Sequence, residues 1–197
     1  MDIYINSIKA DITLDTEKTL GDILKSFEIE CEKHNARTVS ITVNDIPLLV
    51  QDFDNKTKMN IDDIKKIEIE TISQEDIIES FENIKEGFTK ITEELKQIAV
   101  KFQSGKDKEA IFIVKTLADY VDSFCKTATL VTLFPERFGN LKINDMSISD
   151  FFKDFSPILS DFEEALKNND SVMIGDLAEY EISPRLESIV TMINMLK

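Results

Sequence analysis

The sequence predicts an α+β protein: a small strand-rich domain over residues 1–72, followed by an antiparallel α-helical bundle over residues 73–197. Three observations predict it. Before residue 72, apolar residues alternate with polar ones in short runs, with one helical pattern between them. From Ser73 onward the apolar period lengthens from two to about 3.6. The stretch IIESFENIKEGFTKITEELKQIAVKF then sets Ile77, Phe81, Ile84, Phe88, Ile91, Leu95, Ile98 and Phe102 at alternating steps of four and three. A chain of 197 residues with 42% apolar content can bury one or two cores.

Ile3 and Ile5 alternate with polar residues, and the alternation resumes at Ala10, Ile12 and Leu14, with Asn6-Ser7 as a turn between two antiparallel strands. Thr19 is an N-cap with Asp22 three residues later, and Leu20, Ile23, Leu24, Phe27 and Cys31 share one helical face. Val39, Ile41 and Val43 form a third strand, and Asn44-Asp45 turns the chain into Ile46, Leu48 and Val50. Ile64, Ile67, Ile69 and Ile72 close the sheet.

This succession of two strands, a helix and further strands, carried by TLGDILKSF and TVSITVNDIPL, resembles the β-grasp fold of ubiquitin-like domains and small sulfur carriers. The resemblance covers about a third of the chain and implies a fold, not an activity. Conjugating members of those families end in Gly-Gly, whereas IEIETIS runs straight into a helix here, so modifier or sulfur-carrier chemistry does not carry over.

Ser73 and Asp76 approximate a capping box for a helix expected to reach Gln103, where Ser104-Gly105 ends it. A second long helix is expected from Lys106 to Phe134, stopped by Pro135, with the stripe Ala110, Val114, Leu117, Val121, Phe124, Ala128 and Val131, broadened by Ile113 and Tyr120. The short loop makes the two an antiparallel hairpin. After an apolar linker, PERFGNLKINDM, Ser147 and Asp150 open a third helix with Ile148, Phe151, Phe152, Phe155, Leu159, Phe162 and Leu166, which Pro157 kinks or begins. A last segment, from about Asp170 to Lys197, carries Ile174, Leu177, Ala178, Ile182, Leu186, Ile189, Ile193 and Leu196, and is expected to be interrupted at Pro184.

The seam of residues 77–102 looks like a coiled-coil zipper, but its heptads argue otherwise. Phe81, Phe88, Leu95 and Phe102 occupy a and Ile77, Ile84, Ile91 and Ile98 occupy d, the reverse of the β-branched a and Leu d that favour a parallel dimer. The e and g positions lack complementary charges, and Ile78 and Ala99 widen the stripe, as a helix buried among neighbours of its own chain requires. Gly87 in mid-helix marks a place where a neighbouring helix crosses closely.

The formal charge of −15 disfavours a phosphate backbone or an anionic membrane as a ligand. Residues 1–72 hold nine basic and fifteen acidic residues, and the remainder fourteen and twenty-three, so neither part conceals a basic patch. No apolar run approaches the roughly 20 residues of a membrane span, and MDIYINSIKAD lacks the features of a signal peptide, so a cytoplasmic location is expected. Cys31 and Cys125 form no CxxC and are expected to be reduced. Abundant Ile, Lys, Asn, Asp and Glu associate the chain with AT-rich bacterial genomes.

No catalytic constellation stands out. His34 has no cysteine or second histidine near it in sequence. QDFDNKTKMNIDD has the aspartates of a calcium loop, but Lys56 and Lys58 occupy ligand positions and Thr57 stands where the turn needs glycine. The same stretch has the DxD of phosphotransferring hydrolases, yet Lys56 replaces the required Thr or Val. Glu163, Glu164, Asp176, Glu179 and Glu181 read as a solvated face, because a two-metal helical site relies on Glu-x-x-His pairs. No glycine-rich phosphate cradle is present, and no cofactor or metal is expected.

The sharper candidate is apolar. PERFGNL and its flanks place Phe134, Phe138, Leu141 and Ile143 in a loop, where polar residues are usual, so these four are the expected partner-binding residues. The alternative is a loop folded back to cap the bundle. DFEEALKNNDSVMIGDLAEYEISPRLESI resembles uncharacterised bacterial helical proteins of flagellar or surface-modification gene neighbourhoods, and implies no activity. The expected function is a non-enzymatic bacterial adaptor that binds another protein. A secretion or flagellar export chaperone and an enzyme with an unrecognised site are the alternatives. Homo-oligomerisation is compatible with the sequence and not required by it.

Overall fold

The computed structural model describes residues 1–196. It is a mixed α/β chain with a small N-terminal sheet and helices after it, dividing into two compact units, Met1–Asp76 and Ile77–Lys197.

In the N-terminal unit, β1 (Asp2–Ile5) pairs antiparallel with β2 (Ile8–Ala10). Then come α1 (Leu20–Lys33), β3 (Ala36–Val43), β4 (Ile46–Pro47), the single turn α2 (Phe53–Lys56) and β5 (Lys66–Ser73). The sheet order is β2-β1-β5-β3-β4, with β1 and β5 parallel and β3 antiparallel to both β5 and β4. Ile3, Leu20, Ile23, Leu24, Val43, Ile64, Ile67 and Ile69 form the core between α1 and the sheet.

Helix α1 starts where its sequence says it must. The Thr19 hydroxyl accepts from the Asp22 backbone N–H and the Asp22 carboxylate accepts from the Thr19 N–H, a complete capping box. Both hairpin turns use left-handed residues, Asn6-Ser7 at φ 49° and 66° and Asn44-Asp45 at φ 49° and 64°. That conformation matches the twist of the strands they join. Their side chains reach further: Asn6 Oδ1 accepts from the Thr71 N–H at 2.8 Å, and Asn44 Oδ1 from the N–H groups of Lys65 and Lys66.

Several strand expectations for this unit are corrected. The fourth strand pairs only over Ile46–Pro47, and Val50 lies exposed in a short helical turn. The second strand stops at Ala10, paired with Ile3, because its partner β1 begins at Asp2; Ile12 and Leu14 lie in the connection to α1. Val39 does not face the core. The β3–β5 register shifts between Thr38 and Ser40, and the bulge leaves Val39 exposed.

The C-terminal unit is helical. After Ser73, whose hydroxyl accepts from the Asp76 N–H, come α3 (Gln74–Leu95), α4 (Ile98–Gln103), α5 (Asp107–Leu130) and the single turn α6 (Pro135–Phe138). A two-stranded hairpin, β6 (Lys142–Ile143) and β7 (Met146–Ser147), precedes α7 (Ile148–Lys167), α8 (Ser171–Asp176) and α9 (Ser183–Asn194). Ile77, Phe81, Ile84, Phe88, Ile91, Leu95 and Ile98 are all buried, and Phe102 is half-buried. Phe81 meets Phe124 at 5.7 Å between ring centroids and Phe88 meets Tyr120 at 6.1 Å, so α5 runs antiparallel to α3. Gly87 lies at this crossing: a Cβ there would fall 2.1 Å from the Tyr120 ring.

The helix expected through Gln103 is broken at Lys96-Gln97. There the Gln97 N–H turns to the Glu94 carbonyl three residues back, and α4 restarts with Ile98 fully buried. Gly105, at φ 73°, ends α4, with the Lys106 N–H bonded to the Lys101 carbonyl and the Gly105 N–H to that of Phe102, a Schellman pattern. Helix α5 ends at Leu130, short of the expected Phe134. Proline disfavours helical geometry in the residue before it, and Phe134 sits at φ −130°, ψ 63°.

The expected linker is ordered as α6 and the β6–β7 hairpin, whose turn residues Asn144 and Asp145 are again left-handed. Ser147 caps α7 through the Asp150 N–H, and Pro157 is accommodated inside this helix on an exposed position. Pro184 does not interrupt the last segment. The turn before it widens into π geometry over Leu177–Ile182, and the Ala178 carbonyl accepts both the N–H and, at 2.7 Å, the hydroxyl of buried Ser183. Arg185 on α9 bonds Asp154 on α7 at 2.9 Å and Glu181 at 2.8 Å.

Candidate functional site

The expected partner-binding residues separate into two sets. Phe134 and Ile143 are 1% and 0% exposed and belong to the core. Proline at the first position of α6 starts a turn that folds the segment back, and Ile143 is held inward by pairing with Met146. Phe138 is also buried, with its ring edge-to-face to Phe134 at 6.3 Å, but it lines a surface cleft together with half-buried Leu141.

That cleft has a volume of about 600 Å³. Its first wall is the end of α5 and the turn after it: Cys125, Ala128, Thr129, Val131 and Thr132. Pro135, Phe138, Gly139 and Leu141 form a second wall. Ser147, Ile148, Ser149 and Phe152, at the start of α7, form the third. Phe152 is fixed by ring contacts to Phe124 at 5.5 Å and Phe151 at 5.8 Å. None of these thirteen lining residues carries a charge. The helical stripe had already placed Ala128 and Val131 on an apolar face, but which side of α5 stays open depends on where α6 and α7 pack.

The cleft holds one ionisable group of note. Burial pushes the Cys125 thiol up from its ordinary value, and the Asp122 carboxylate adds to the shift, so the sulfur stays protonated. A protonated thiol is a poor nucleophile and a poor metal ligand. Both cysteines are free.

The other residues weighed from sequence do not converge. His34 is exposed at the end of α1, with Nε2 3.4 Å from Glu30. The QDFDNKTKMNIDD stretch folds into short helical turns over Val50–Asp52, Phe53–Lys56 and Ile61–Asp63. Glu163 pairs with Lys167 at 2.6 Å and Glu181 with Arg185, while Glu164, Asp176 and Glu179 are exposed. Among the described residues, no group of three or more His, Cys, Asp or Glu is placed to hold a metal ion. Among the described residues, no helix is long and apolar enough to cross a membrane.

Residues 1–73 match the family model described as the TP0873 N-terminal domain, and residues 79–192 match the one described as a domain of unknown function, DUF8042. The boundary between the two units falls between the two matches. A Treponema pallidum (strain Nichols) protein, described only as "Uncharacterized protein", is 29% identical over 184 residues, covering 93% of this chain and 92% of its own. No solved structure matches. The helical match takes in every wall of the apolar cleft and more than half of the sequence, and the chain belongs to the DUF8042 family.

Proposed function

We propose that the protein is a non-enzymatic bacterial adaptor that seats an amphipathic helix of another protein, with basic residues flanking its apolar anchors, in the cleft between α5, α6 and α7. The observation that carries this reading is a cleft lined wholly by uncharged residues on a chain of net charge −15. Interface centres lose charged side chains and keep aromatic ones, and a groove of this kind accepts the apolar face of a helix. The net negative charge of the chain favours a basic partner and speeds its approach.

The finer architecture belongs to the same reading. The N-terminal unit is a β-grasp domain, supported by the order β2-β1-β5-β3-β4, the parallel β1–β5 pair at its centre and α1 between the two hairpins. The C-terminal unit is an antiparallel helical bundle, supported by the ring contacts of Phe81 and Phe88 with α5. The Treponema relative supports a bacterial setting.

A photo-crosslinking residue at exposed Thr132, inside the cleft, tests the reading in the native host, with exposed Lys115 elsewhere on α5 as control. The expected result is a discrete adduct from Thr132 alone, lost in an Ala128→Arg variant whose circular dichroism is unchanged. Absence of an adduct at Thr132, or the same adducts from both positions, overturns it. An adduct with a second copy of the chain replaces the adaptor by a homodimer. An adduct confined to unfolded exported proteins assigns the same cleft to an export chaperone.

A further inference from the structure

We propose that the N-terminal unit carries a binding pocket for a small organic cation with an apolar body. A cavity of about 380 Å³ lies between α1 and the sheet. Five isoleucines, Ile3, Ile5, Ile12, Ile23 and Ile69, line it together with Phe27. An engineered apolar cavity of roughly 150 Å³ accepts benzene, so this one has room for an aromatic ring and a short aliphatic chain. It also falls within the size range of small-molecule sites, roughly 300–1,000 Å³.

The pocket exists because β2 ends early. Since the strand stops at Ala10, Ile12 does not join the sheet, and the connection to α1 leaves apolar space over Ile3, Ile5 and Ile69. Ile12 lines that space and is still 43% exposed, so its apolar surface is available for a ligand to cover.

The charge preference comes from the only ionised groups lining the pocket among the described residues, the carboxylates of Glu17 and Glu30. Glu17 is held in place: it accepts from the Ser26 hydroxyl at 2.8 Å and from the backbone N–H groups of Asp15 and Thr16 at 3.1 Å each. Glu30 contacts Lys33 at 2.7 Å and His34 at 3.4 Å, with both partners exposed. Exposed pairs of this kind are weak and exchange readily, so an arriving ammonium competes with Lys33 on favourable terms. An anionic ligand would place a third negative charge beside the two carboxylates.

The test uses the full chain with labelled isoleucine methyl groups, titrated at neutral pH with phenylbutylamine and, separately, with phenylbutyrate. The amine is expected to shift the methyl signals of Ile3, Ile5, Ile12, Ile23 and Ile69 saturably while leaving Ile189 in the C-terminal unit unmoved. The carboxylate is expected to bind at least about tenfold more weakly. Glu17→Gln combined with Glu30→Gln should bring the two affinities together. The proposal is overturned if the amine gives no saturable shift at these methyls, if the two ligands bind equally to the unaltered protein, or if the folded double variant keeps the preference. Should the double variant fail to fold, the comparison of the two ligands on the unaltered protein decides the matter.

Discussion

Replacing Gly87 by alanine puts two opposing effects in direct competition. In an exposed helix interior the change stabilises by about 1 kcal/mol, because alanine loses less backbone freedom on folding. Here the new Cβ would lie 2.1 Å from two atoms of the Tyr120 ring and 2.6 Å from a third, distances that no carbon pair sustains. The ring has to leave its position beside Phe88, with which it packs at 6.1 Å. Overpacking of this kind costs about 1–3 kcal/mol, and loss of the aromatic pair about 0.5–1.5 kcal/mol. The net expectation is a destabilisation of about 1–3 kcal/mol in spite of the better helix former. Urea unfolding followed by far-ultraviolet circular dichroism measures it. A double-mutant cycle then identifies the cause, because in a Tyr120→Ala background the same Gly87→Ala change should stabilise by about 1 kcal/mol. If Gly87→Ala stabilises the unaltered protein, or if its sign is the same in both backgrounds, the close crossing of α3 and α5 is not what keeps glycine there.

Two other substitutions probe the same architecture. Phe88→Asp removes a fully buried ring and leaves an unpaired carboxylate in its place; truncation alone costs about 3–5 kcal/mol, so the helical unit should lose cooperative unfolding, and a folded, stable monomer would mean that the seam faces outward. Asp22→Asn should flatten the acid limb of stability. Hydrogen bonds from the Lys18 N–H, the Thr19 hydroxyl and the Thr19 N–H hold the Asp22 carboxyl below its ordinary 3.8. Its contribution is therefore complete above that value and disappears as pH falls through the lowered one. Thermal midpoints measured from neutral to acid pH should converge between the two proteins at the acid end, and a constant offset would refute the assignment.

What could be read from sequence was local. Thr19 with Asp22, Ser73 with Asp76 and Ser147 with Asp150 each name a helix start, because a cap and the backbone groups it satisfies lie within one turn. The residues of the α3 seam and the glycine within it were equally legible, since a regular helix converts spacing into a face. The break at Lys96-Gln97 was not, as neither residue is a glycine or a proline. Pro184 misled for a related reason: the rule that proline ends a helix takes no account of a preceding turn that can widen, with Ser183 supplying the extra hydrogen bond. Asn144-Asp145 repeats the dipeptide of Asn44-Asp45, but its strands are two residues long and leave no alternation to detect. At the cleft, PERFGNL identified the segment and not the orientation. Phe134 and Phe138 are equally aromatic and both buried, and only packing against α5 and α7 determines which one lines the cleft.

The turn asparagines have a consequence for how the N-terminal sheet forms. A glycine at Asn6 or Asn44 would satisfy the left-handed backbone and nothing more, so each hairpin could close and reopen alone. Asn6 instead completes its hydrogen bonds with Thr71, 65 positions along the chain, and Asn44 with Lys65, 21 positions along. Both targets lie on or beside β5, the strand that must return from the far end of the unit. Closure of either hairpin is therefore reinforced only after β5 has arrived, which ties two local events to one distant one. The sheet gains cooperativity at the expense of speed, because contacts between residues far apart in sequence are the slow ones to establish.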